Sequence, residues 1–153
     1  MKAAIIGAST EALHTIKKAQ EHGLFTVALD GDAGAAGLAA ADKGLVVDIS
    51  DENAVIETLR KEKPDFVLTV PIGRYLTTTG AVNDALGLPG ISRKMAELCT
   101  DKFMFHTKLN KAGLRNCRCY AINQKKAEAE RDTALTCPAI LKPRYGSGSR
   151  GMF

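Results

Sequence analysis

Residues 2–30, KAAIIGASTEALHTIKKAQEHGLFTVALD, decide the fold. They read as a short apolar strand over 2–6 closed by Gly7, and a helix over 10–22 with Ala12, Leu13, Ile16 and Ala19 on one face. A stop at Gly23 and a second apolar strand over 25–30 follow. Ser9 or Thr10 is placed to cap the helix. Strands that are apolar almost throughout are covered on both faces, so two of them joined by a helix predict a parallel pair inside a layered sheet.

The alternation continues outward. A small-residue helix is predicted near 35–41 and a strand over 44–49 (GLVVDI). Ser50 then caps a helix over 51–62, with Ala54, Val55, Thr58 and Leu59 inward and Pro64 as its stop. A fourth strand covers 65–70 (DFVLTV), and a helix covers 75–87. Right-handed crossovers make this an α/β, doubly wound parallel sheet of the Rossmann-like kind. Ligands of such sheets bind outside the carboxyl ends of the strands, where the strand order reverses. If strand four neighbours strand one, Ser9, Thr10, Arg74 and Tyr75 converge there as candidate substrate-binding residues. Arg74 would clamp a carboxylate, or else would salt-bridge an acid of this half.

The first glycine turn, Gly7 to Ala12, sits where a dinucleotide fingerprint would lie. It keeps only the first glycine of G-x-G-x-x-G. Ser9 and Ala12 hold the other two places, and Glu11 sets a negative charge where a pyrophosphate would rest. Asp30 stands at the spacing of a ribose-binding acid. These features leave an alternative reading, a non-catalytic dinucleotide- or small-acid-binding module on 1–91.

The turn at 88–91 (LPGI) is followed by a helix over 92–99 and, capped by Thr100, another from Asp101 to about Ala112. Its apolar stripe is Phe103, Met104, Leu109 and Ala112, and Gly113 stops it. A half-exposed strand over 118–122, a polar helix over 124–134 and a strand over 138–142 then predict a small α+β lobe. The organisation is therefore a sheet domain over 1–91, a helical connection over 92–113 and a partial small lobe over 114–153.

Composition narrows the function. Of 153 residues, 45% are hydrophobic and 25% charged, as in an ordinary globular protein, and a chain this long buries a core without disulfides. Aromatics are 5% with no Trp, too few for a base-stacking platform, so nucleic acid is not expected as a partner. No apolar run could span a bilayer and the N-terminus lacks a signal-peptide pattern, so no membrane partner and a cytoplasmic location are expected. Cys99, Cys117, Cys119 and Cys137 then read as reduced thiols. They have no second pair or histidine at zinc spacing, and His14, His22 and His106 form no ligand pair.

The charge is uneven. Residues 1–100 hold 10 Lys/Arg against 13 Asp/Glu, net −3, whereas residues 101–153 hold 11 against 4, net +7. A basic segment on an acidic one points to an anionic ligand, with phosphate the commonest small anion. The stretch 138–151, PAILKPRYGSGSRG, has the matching chemistry. A strand ends in Lys142, and a loop of three glycines with two serines follows before any acid appears. Glycines let the backbone approach an anion, and successive N–H groups can nest around phosphate oxygens. The lysine precedes the glycines, so this is not the G-x-x-x-x-G-K-[ST] loop. A flexible hairpin turn is the plainer reading of the same residues.

The blocks 101–113 (DKFMFHTKLNKAG) and 138–151, with the strand–helix alternation upstream, resemble the ATP-grasp superfamily, and the layout is similar to its carbamoyl-phosphate-synthase-like members. The resemblance covers the whole chain. It implies a pre-ATP-grasp domain followed by the beginning of the ATP-grasp small subdomain. By it, Lys102 and Lys142 contact ATP phosphates, and Gly146, Ser147, Gly148, Ser149, Arg150 and Gly151 form the glycine-rich lid over the triphosphate. The family activates a carboxylate as an acylphosphate for attack by an amine or a related nucleophile. Its Mg²⁺ ligands and adenine pocket lie further downstream than residue 153, and Asp101 or Asp132 is no substitute for them. The resemblance thus implies the N-terminal portion of a longer ligase, inactive alone. Its partner would be a complementing C-terminal half or a second copy of the chain.

Overall fold

The structure is a computed structural model and describes residues 1–70, 73–115, 119–122 and 138–146. It divides into two compact units, Met1–Glu97 and Leu98–Phe153.

The first unit is a four-stranded parallel sheet in the order β3-β2-β1-β4, built from β1 (Lys2–Ile6), β2 (Phe25–Asp30), β3 (Lys43–Val46) and β4 (Phe66–Leu68). The register pairs Ile5 with Ala28 and with Leu68. Its helices are α1 (Leu13–Glu21), α2 (Ala36–Ala40), α3 (Glu52–Glu62) and α4 (Leu76–Leu86), with α5 (Arg93–Thr100) running into the second unit. The pleat sorts the apolar strands into two cores. Ala4, Ile6, Val27 and Leu29 pack with Val55, Leu59 and Val82 from α3 and α4. Ile5 and Ala28 pack with Ala12 and Ile16 on the α1 side. Both faces are covered, as near-continuous apolar strands require.

Several local expectations are corrected. Neither Ser9 nor Thr10 caps α1 through its side chain; the chain enters through a 3₁₀ turn, Thr10–Ala12, whose Ala12 N–H bonds Ser9 O. Asp51, not Ser50, caps α3 by accepting from the N–H groups of Asn53 (3.0 Å) and Ala54 (3.1 Å). The Ser50 hydroxyl instead donates to Asp48 (2.7 Å). Strands β3 and β4 are shorter than the apolar runs that predicted them, and β3 stops at Val46, which pairs with Asp30, the last residue of β2.

In the second unit, α6 spans Lys102–Lys111. Thr100 closes α5, and its expected capping role falls to Asp101. The stripe expected to be core on α6 contributes no buried residue, and Met104 is exposed. Residues 119–122 and 138–143 carry no strand among the described residues, and Ile140 and Leu141 are exposed. An extended segment becomes a strand only with a partner ladder. Arg118, the helix expected over 124–134, Cys117, Cys137, the loop residues Pro71 and Ile72, and Ser147 to Gly151 lie outside the described residues. No helix among the described residues is long and apolar enough to cross a membrane.

Candidate functional site

Two places follow from the sequence, the carboxyl edge of the sheet and the start of α6. At the first, β4 does neighbour β1, so the loops holding Ser9–Thr10 and Arg74–Tyr75 leave adjacent strands at one edge. All four residues are exposed. The 3₁₀ turn Gly73–Tyr75 presents Arg74 and Tyr75.

In the first glycine turn both backbone groups of Ala8 are engaged by the protein itself. Gly7 adopts φ 89°, the left-handed region open to glycine. The next amide, Ala8 N–H, donates to Asp30 Oδ2 (2.7 Å), and Asp30 Oδ1 accepts from Asp32 N–H (3.0 Å). Ala8 O accepts from Gly37 N–H (2.7 Å), and a Cβ on Gly37 would stand 2.6 Å from that oxygen. Asp30 therefore braces the glycine turn through Oδ2 and its own following loop through Oδ1. Its carboxylate occupies the amide that a pyrophosphate would need. This geometry counts against the dinucleotide alternative.

At the second place Asp101 organises the structure. It is 1% exposed and caps α6, accepting from Phe103 N–H (3.0 Å) and Met104 N–H (3.1 Å). Arg144 reaches it from 43 residues away, with Nε at 2.9 and 2.8 Å from its two oxygens, and the Tyr145 hydroxyl donates to it at 3.2 Å. Arg144 also lies over the Phe103 ring, 5.6 Å from its centroid. Chiefly because of the Arg144 hydrogen bonds, the Asp101 carboxyl is held at about 2, and Arg144 is raised in turn. A carboxylate so committed is a brace and has no free oxygen pair for a metal ion. Among the described residues no group of three or more His, Cys, Asp or Glu could hold one.

This brace sets the cations. Lys102 N–H donates to Arg144 O (3.1 Å), and Lys102 Nζ donates to Gly146 O (2.6 Å) at the entrance of the glycine loop. Lys142 Nζ stands 3.2 Å from His106 Nε2. Lys102 and His106 are four residues apart, so they share a face of α6. The His106 imidazole is held below its ordinary value, first by burial and then by the charges of Arg115, Lys142 and Lys102. Lys102 thus meets the backbone at Gly146, while Lys142 stands beside His106 one turn further along α6. The Asp101–Arg144–Tyr145 brace and His106 were not predicted. The preference for Asp at helix N-caps could have found Asp101, but no local signal ties it to Arg144.

No family model matches the chain, and no curated protein matches it. Solved structures do. The L-amino acid ligase from Bacillus licheniformis matches at 23% identity and a TM-score of 0.78, over 95% of this chain and 37% of that one. The N5-carboxyaminoimidazole synthetase from Staphylococcus aureus, complexed with ADP, matches at 18% and 0.77, over 99% and 40%. The phosphoribosylglycinamide synthetase from Anaerococcus prevotii matches at 23% and 0.71, over 84% and 33%. In fold, the chain resembles ATP-grasp ligases. It spans 33 to 40% of the length of these three.

Proposed function

We propose that the chain supplies part of the triphosphate site of an ATP-dependent ligase, one that joins a carboxylate to an amine or a related nucleophile through an acylphosphate. The observation that carries this reading is the convergence of Lys102 Nζ on Gly146 O while Lys142 stands beside His106 on the same helix face. Two ammonium groups at the mouth of a glycine loop would neutralise charge as the γ-phosphoryl leaves. Ser147, Gly148, Ser149, Arg150 and Gly151 would close the loop over the phosphates and exclude water from the acylphosphate. Ser9, Thr10, Arg74 and Tyr75 would hold the small-molecule acid at the sheet edge. Mg²⁺ would be held by a part of the ligase other than the described residues, either further along the chain or on a complementing one.

The test is competition of ATP against a fluorescent nucleotide on the 153-residue chain. Weak ATP-competitive binding is expected, reduced about fivefold or more by Lys142→Ala, with no ATP-dependent ADP release. A preference for NAD(H), lost in a Gly7 variant, would replace this reading with the binding-module alternative. Sustained ADP release would show that the chain turns over alone.

A further inference from the structure

We propose that His106 is a positioning residue: its neutral imidazole, protonated at Nδ1, accepts the Lys142 ammonium at Nε2 and so fixes where that charge sits. Lys142 Nζ and His106 Nε2 are 3.2 Å apart. An ammonium has three donors and no acceptor, so the bond exists only if Nε2 offers a lone pair. A neutral ring then carries its single proton on Nδ1. That atom is buried and has no partner among the described residues, so nothing on its own side selects this tautomer. Lys142 does.

The surroundings keep the ring in this state. Among the described residues the charged groups that face it are Lys142, Lys102 and Arg115, all cationic, and its ring neighbour is Phe105, with centroids 5.7 Å apart. Burial and like charge both oppose an imidazolium. His106 is therefore an acceptor near neutral pH. As the pH falls through its midpoint, below the ordinary 6.5, Nε2 gains a proton, the bond is lost and two cations face each other. The pairing stands on geometry alone; only its use in presenting Lys142 to a phosphate rests on the proposed ATP site.

The experiment uses the ¹⁵N-labelled full chain without nucleotide. Two-bond ¹H–¹⁵N spectra should show His106 protonated at Nδ1 at neutral pH. A slowly exchanging Lys142 ammonium signal should vanish with the His106 midpoint. His106→Leu should abolish that signal at every pH. His106→Gln, whose Oε1 accepts without titrating, should keep it into acid, and Lys142→Met should raise the His106 midpoint. If His106→Leu perturbs the fold, the Gln variant and the tautomer decide. A ring protonated at Nε2, or a Lys142 signal indifferent to His106, overturns the proposal. ATP added afterwards separates the two readings. An intact pair untouched by ATP refutes the phosphate site alone, and ATP binding without the pair refutes the pairing alone.

Discussion

At the scale of single residues, Asp101 carries the second unit's architecture. Its carboxyl is held at about 2 against an ordinary 3.8, so the ionised form is favoured by folding. The sign follows: the stabilisation is complete above about pH 4 and is lost as the pH falls toward 2. Arg144 is half exposed, which screens the pair, so the contribution is on the order of 1–2 kcal/mol at neutral pH. Asp101→Asn keeps a competent cap but not the charge. It should lower stability by that amount at pH 7 and flatten the acid limb between pH 4 and 2. Tyrosine fluorescence followed through acid unfolding would check this, and an unchanged acid limb would contradict it. Lys142 stood out in the sequence because it precedes the glycines, and Lys102 entered only through the family resemblance. The Asp101–Arg144 brace was hidden, since a salt bridge across 43 residues leaves no periodicity.

At the scale of elements, strand and helix identities were read correctly through residue 100 because each burial face repeats along its own segment. Ends were read less well. Ser50 and Asp51 are both good caps by composition, and only geometry assigns the bonds to Asp51. Asp51→Ala should cost about 1 kcal/mol, and Ser50→Ala less, in thermal or denaturant unfolding. An equal loss from both would argue that the Asp48–Ser50 turn matters as much as the cap. The α2 helix sits against the first loop only because residue 37 has no side chain. With 2.6 Å between a Cβ and Ala8 O, Gly37→Ala must push α2 off the loop. A loss of about 1–3 kcal/mol is expected, with amide exchange rising first at Ala8 and Gly37. Past residue 113 the sequence predicted strands that the described residues do not form, because an apolar run says nothing of whether a pairing ladder is at hand.

At the scale of the whole molecule, the two apolar cores decide what can fold without help. Every buried member of both lies between Ala4 and Val82, and the packed flanking residues end at Leu88. The described residues of the second unit contribute none of them. Its described residues hold together through Asp101, Arg144, Tyr145 and the lysine bonds to backbone, and leave Met104, Leu114, Ile140 and Leu141 exposed. Apolar burial stabilises by roughly 25 cal/mol per Å², so a unit held mainly by polar contacts should be the weaker one. Residues 1–97 expressed alone should therefore unfold cooperatively, with a midpoint within a few degrees of that of the whole chain. In the whole chain, Asp101→Ala should raise amide exchange across α6 while leaving β1 and β2 protected. If 1–97 is molten, or if Asp101→Ala exposes the sheet, the cores are not self-sufficient and the chain folds as one cooperative body.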